Sequence, residues 1–198
     1  RNGKDAASNA INGTPREQNS VSYDITPVPY LEPALFQDFL EVTLPAFASP
    51  YETTYGLSVP EDKTLVIEPG VTVSFGHQAR FDIAGTLQAQ GTENARIVFT
   101  NEAGAWKGVR FLTSSTSSKL DFVRIINATY ERTTNRYTAV AVLGSDVLFK
   151  NIEITSGGRN NRIYLENSNS LIENSTLSGA NYQSPSSASA AIYVAGGS

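Results

Sequence analysis

Between Leu65 and Phe111 the chain alternates apolar and polar residues in short segments, and each segment stops at Gly, Pro or Asn. Leu65 and Ile67 lead to Pro69-Gly70. Val71, Val73 and Phe75 lead to Gly76, Phe81 and Ile83 to Gly85, and Leu87 and Ala89 to Gly91, before Ile97 and Phe99. Residues two apart on a strand point the same way, so each set can face one interior. Tyr55, Leu57 and Val59 read as the start of the same series. A helix would space its apolar positions three and four apart, and this stretch does not. Glycines between the sets mark corners, where a Cβ would be penalised.

Later segments align on one another. Ser145-Asp-Val-Leu-Phe-Lys-Asn-Ile-Glu-Ile matches Ser168-Asn-Ser-Leu-Ile-Glu-Asn-Ser-Thr-Leu at a shift of 23. That shift sets Leu148 on Leu171, Phe149 on Ile172, Ile154 on Leu177, Asn151 on Asn174 and Lys150 beside Glu173. Ile163-Tyr-Leu matches Ile192-Tyr-Val at a shift of 29, with the Ser-rich stretch Gln183–Ser189 taking up the extra length. Self-similarity at this period is the mark of a solenoid, here with one coil per ~20–30 residues. The fold expected is all-β, a right-handed parallel β-helix. Its coils would stack ~4.8 Å apart, with an Asn151–Asn174 amide ladder at one turn, as in the Asn rows of cross-β structures.

Residues 1–50 differ. The first twenty are almost free of apolar side chains and could not offset the entropy of ordering by themselves. Pro27, Pro29 and Pro33 exclude a central strand position. Leu35, Phe36, Phe39 and Leu40 would share one face of a two-turn helix with Pro33 in its first turn. Pro33–Val42 therefore reads as a cap on the open end of the solenoid, with the docking of a partner helix as the rival reading. The organisation expected is an extended tail and cap over residues 1–50 and a β-helix over 51–198. No cap follows the strand-like Ile192-Tyr-Val-Ala, so coils are expected to continue past Ser198 or another molecule to cover that edge.

Composition narrows the classes. The 198 residues carry a net charge of −4 and only 17% charged side chains, which offers nucleic acid no basic footprint. There is no Cys for disulfides or thiolate metal sites. No apolar run approaches the ~20 residues of a transmembrane helix. With Arg1 first and no Met, processing of the N-terminus is expected. The sequons at Asn12, Asn127 and Asn174 are what chance gives in a chain rich in Asn, Ser and Thr.

The run LVIEPGVTVSFG, GTLQAQGTENARIVFT, WKGVRF and LDFVRI resembles the right-handed parallel β-helix repeat proteins secreted or displayed by bacteria, many of them from Bacteroidetes. The resemblance spans roughly Tyr51 to Ser198 and is most specific over Leu65–Phe111. It implies the fold and an extracellular or cell-surface setting, with outer-membrane anchoring an option. It implies little about activity, because that group includes surface lipoproteins, adhesin modules and glycan-binding parts.

The residues offer no catalytic constellation. Asp82, Asp121, Asp146, Glu153 and Glu173 are scattered, with neither the acid cluster of a calcium-dependent lyase nor the paired acids of an inverting hydrolase. His77 is the one histidine, too few for a zinc site and without cues for a Ser–His–Asp relay. No catalytic residue, metal or cofactor is assigned, and an enzyme is the less favoured class. The candidate ligand or partner surface is Trp106, Lys107, Arg110 and Arg124 along one flank, with an exposed strip of Tyr164 and Tyr193. For Trp106 the alternative is a plug where the loop Asn101–Ala105 rejoins the coil, and for the tyrosines it is stacking between coils. The function expected is that of a non-catalytic extracellular solenoid with a structural, adhesive or assembly role, self-associating through residues 1–50 and its C-terminal edge. The alternative is a polysaccharide-binding or polysaccharide-degrading domain.

Overall fold

The structure is a computed structural model that describes residues 31, 35–36, 39–128, 131–133, 136–156, 161–179 and 191–196. It is an all-β parallel solenoid of about 5 turns. The chain visits three sheets in rotation. The first contains Glu41–Leu44, Thr64–Ile67, Thr86–Gln90, Ser118–Asp121, Val147–Lys150 and Leu171–Glu173. The second contains Tyr51–Thr53, Thr72–Phe75, Ile97–Thr100, Val123–Ile126, Glu153–Ser156 and Thr176–Gly179. The third contains Leu57–Val59, Arg80–Ile83, Gly108–Phe111, Arg136–Leu143, Asn161–Glu166 and Ile192–Ala195. Every pairing along these stacks is parallel, and only Glu131–Thr133 adds an antiparallel strand, against Arg136–Leu143.

The alternation read from Leu65 to Phe99 describes this interior. Leu65, Ile67, Val71, Val73, Phe75, Phe81, Ile83, Leu87, Ala89, Ile97 and Phe99 are all buried in one core. Each large apolar side chain so placed contributes ~1.5–3 kcal/mol. Phe75, Phe81 and Phe99 add edge-to-face contacts at centroid distances of 5.6–6.2 Å. The later pairings are also in the expected register, with Leu148 beside Leu171, Phe149 beside Ile172 and Lys150 beside Glu173. Ile154 pairs with Leu177, and Ile163, Tyr164 and Leu165 pair with Ile192, Tyr193 and Val194.

Three expectations change. Tyr55 does not begin the inward series; it stands in the bend between Tyr51–Thr53 and Leu57–Val59 and is exposed. Glu41–Leu44 already pairs with Thr64–Ile67, so the first sheet starts before residue 51 and Val42 belongs to a strand. The helix expected over Pro33–Val42 lies partly outside the described residues, as do residues 1–30. Leu35 and Phe36 form a turn whose Phe36 is buried against the core, whereas Phe39 and Leu40 face outward.

The corner between the first and second sheets turns on one left-handed residue per coil, namely Phe122 (φ 48°), Asn151 (φ 50°) and Asn174 (φ 45°). Asn tolerates this region better than most residues. The turn is held by backbone bonds from one coil to the next, from Phe122 N–H to Lys150 C=O and from Asn151 N–H to Glu173 C=O. The Asn151 amide does not ladder with Asn174; it donates to the Asp121 carboxylate at 2.7 Å. Phe122 pays for its φ with a neighbour, since the Arg96 guanidinium lies 5.3 Å from its ring and also donates to the Asn151 carbonyl. In the GTL segment, Gly85 runs so close to the preceding coil that a Cβ would sit 2.2 Å from the carbonyl oxygens of Lys63 and Pro60.

The corner between the third and first sheets is lined by serines. Ser118 Oγ accepts the Leu87 N–H and contacts Ser115 Oγ; Ser170 Oγ accepts the Val147 N–H and contacts Ser168 Oγ. The coil between them carries Val147 where its neighbours carry Ser118 and Ser170. Ser145 is consequently left buried with its hydroxyl unpartnered. Ser118→Ala should therefore lower unfolding free energy by ~1–3 kcal/mol, because a buried N–H loses its acceptor, while Ser145→Ala should be neutral or stabilising. Denaturant unfolding of the two variants compares them directly.

Candidate functional site

The six residues of the expected surface go to three different places. Trp106 is fully buried. Its ring stacks on Phe75 at 4.2 Å and 7°, and its Nε1–H donates to the Ile126 carbonyl at 2.8 Å. Trp106 therefore plugs the core where the loop rejoins the coil and is absent from the outer surface. Asn101 shapes that loop, donating to the Ala105 carbonyl and accepting the Ala103 N–H. Asn127 clips the loop to the next coil through the Asn101 carbonyl.

Arg110 and Arg124 do not share a flank. WKGVRF supplies a third-sheet strand, whereas LDFVRI is split by the Phe122 corner, so its arginine projects from the second sheet. Both are engaged with acids. Arg110 donates to both oxygens of Asp82 at 3.0 and 3.2 Å, and Arg80 reaches the same carboxylate at 2.8 and 2.9 Å. One carboxylate is thus shared by guanidinium groups from adjacent coils. Arg124 pairs with Glu153 of the next coil at 2.9–3.0 Å. Lys107 precedes the Gly108–Phe111 strand at the corner and is half-buried, with its backbone N–H on the Ala79 carbonyl.

Tyr164 and Tyr193 do fall in one column with Asp82, Arg110 and Ala141 on the outer side of the third sheet. They are not an exposed strip. Their rings stack at 5.6 Å and 9°, Tyr164 is only 2% exposed, and its hydroxyl donates to Glu166. Nearby Arg162 is also buried, donating through Nε to the Ser178 carbonyl, and burial lowers its pKa from the usual arginine value. The groups that sequence reading missed are the acids Asp82, Glu153 and Glu166. Their signal would have been coil-to-coil register, but loops make the spacing vary from coil to coil, from |i−j| of 28 for Asp82–Arg110 to 23 for Thr155–Ser178.

His77 sits beside a groove of about 300 Å³ between the second-sheet edge and the Asn101–Ala105 loop, with Glu52, Ser74 and Glu102 around it. Both ring nitrogens are occupied. Nδ1 faces the Ala105 carbonyl at 3.2 Å and so carries the proton, leaving Nε2 to accept from the Gln78 amide at 3.3 Å. The histidine is a tie between two coils. Among the described residues, no three His, Cys, Asp or Glu side chains gather as a metal site would require.

One rung is different in kind. Leu171–Glu173, Thr176–Gly179 and Ile192–Ala195 each end their sheet, so among the described residues nothing pairs with their outer edges. Their inward residues are in register with the core but uncovered. Ile192 is 39% and Val194 59% exposed, against 0% and 6% for Ile163 and Leu165 one coil earlier. Ile172 and Leu177 are only partly buried. At the other end, Leu44, Tyr51, Thr53, Leu57 and Val59 are all buried. There Leu31 donates its N–H to the Glu52 carbonyl, and Leu31 and Phe36 join the core. Burial, with Glu68 adding to it, raises the Tyr51 pKa, so its hydroxyl remains a donor to the Pro45 carbonyl.

No family model, no curated protein and no solved structure matches this chain.

Trp106 is the one tryptophan, so it reports the core. Its fluorescence should be blue-shifted and resistant to iodide, and Trp106→Ala should cost ~3–5 kcal/mol in unfolding free energy. A readily quenched emission would show that the residue lies on the surface instead.

Proposed function

We propose that this chain is a structural β-solenoid module that works by surface contact, in an extracellular or cell-surface setting, rather than by chemistry on a bound substrate. The observation that carries this reading is how the reactive-looking side chains are used. Arg80, Asp82 and Arg110 tie adjacent coils, as do Arg124 with Glu153, Tyr164 with Tyr193, and His77 with the Ala105 carbonyl. Exposed ion pairs contribute little singly, up to ~1 kcal/mol. Repeated along a stack they hold register and stiffness. The sequence resemblance to secreted and displayed bacterial β-helix proteins supports the setting. Adhesion or assembly is the matching role, with the uncovered rung of Leu171–Glu173, Thr176–Gly179 and Ile192–Ala195 as its contact surface.

A screen against acidic and neutral polysaccharides, with and without calcium, tests the reading. The expected result is no unsaturated product absorbing in the ultraviolet and no new reducing ends. Turnover of any polysaccharide, lost on substitution of a residue in this chain, would replace the scaffold reading with an enzyme.

A further inference from the structure

The uncovered rung and its opposite end are unequal, and the inequality selects a partner. Resting on the contact-module reading above, we infer that the rung formed by Leu171–Glu173, Thr176–Gly179 and Ile192–Ala195 docks the same rung of a second copy, giving a closed two-fold pair.

Three observations lead there. First, the rung presents an apolar centre inside a ring of unpaired strand edges. Ile192 and Val194 are exposed, Ile172 and Leu177 are partly so, and each of the three strands has one edge without a partner among the described residues. Apolar surface and free backbone groups together favour pairing with another chain's edge. Second, the opposite end does not supply the counterpart. Leu57 and Val59 are buried there, and the Glu52 carbonyl is already taken by Leu31. A head-to-tail stack would set exposed Val194 against an end that is already sealed. Third, the rung can meet itself without electrostatic conflict. Across its three strands the only charged side chain is Glu173, on the outer side and beside Lys150 of the preceding coil. Two-fold contact makes every residue act twice and closes after two copies, whereas a head-to-tail contact would grow without limit. In the closed pair the two rungs run antiparallel, with N–H and C=O groups exchanged between edges.

Sedimentation equilibrium of the whole chain over a wide concentration range tests this, with Val194→Lys and Phe47→Ser alongside. Val194 is largely exposed, so the lysine leaves the core of one copy intact, and circular dichroism confirms the fold. Phe47 is an exposed apolar residue at the sealed end. The expected result is a monomer–dimer equilibrium that stops at two copies. Val194→Lys should weaken it by more than about tenfold, because each dimer would bury two unpaired charges, while Phe47→Ser should leave it unchanged. A monomer at every concentration, growth past the dimer, or a dimer broken by Phe47→Ser but indifferent to Val194→Lys overturns the inference. Any of these outcomes leaves the scaffold reading standing, since that depends on the polysaccharide screen.

Discussion

Everything in this molecule depends on register between parallel coils. A strand in one coil is stable only if its inward side chains land on inward side chains of the coils before and after it. Slipping by one residue would send the whole apolar set to the outside. The chain enforces register twice over. Inside, Phe75, Phe81, Phe99 and Trp106 form one aromatic cluster drawn from three successive coils. Outside, Asp82 binds arginines from two coils, and Arg124 binds Glu153 of the next. At the corners, left-handed Asn151 and Asn174 and the hydrogen-bonded serines fix where each coil turns. Because loops of different length enter between the strands, the coils differ in sequence spacing while remaining superimposed in space.

That difference separates what the sequence revealed from what it hid. Leu65 to Phe99 could be assigned to the interior residue by residue because period-two alternation is local. The pairings of Leu148 with Leu171 and Tyr164 with Tyr193 were legible because those coils repeat recognisable segments. Asp82 with Arg110 was not, since the partner lies one irregular coil away and nothing near Arg110 announces it. Trp106 illustrates another limit. Flanked by lysine and glycine, it has the sequence context of a surface aromatic, yet it enters the core because the Asn101–Ala105 loop turns the chain inward just before it. Tyr164 and Tyr193 had the expected register but not the expected exposure, which depends on what lies over the outer face and leaves no periodic trace.

The functional reading follows from the same economy. Side chains that might have served a ligand are mostly engaged in joining coil to coil, and the largest unsatisfied surface is the one place where a coil lacks its neighbour. Both the stability and the proposed contact come from the same parallel ladder, satisfied within the stack and unsatisfied at its last rung.

Amide hydrogen exchange at low and high protein concentration is the most direct measurement of that claim. The account predicts that protection rises with concentration in Leu171–Glu173, Thr176–Gly179 and Ile192–Ala195, and is unchanged in Tyr51–Thr53 and Leu57–Val59. Protection that is independent of concentration in all of these strands, or that rises at the sealed end instead, would contradict it.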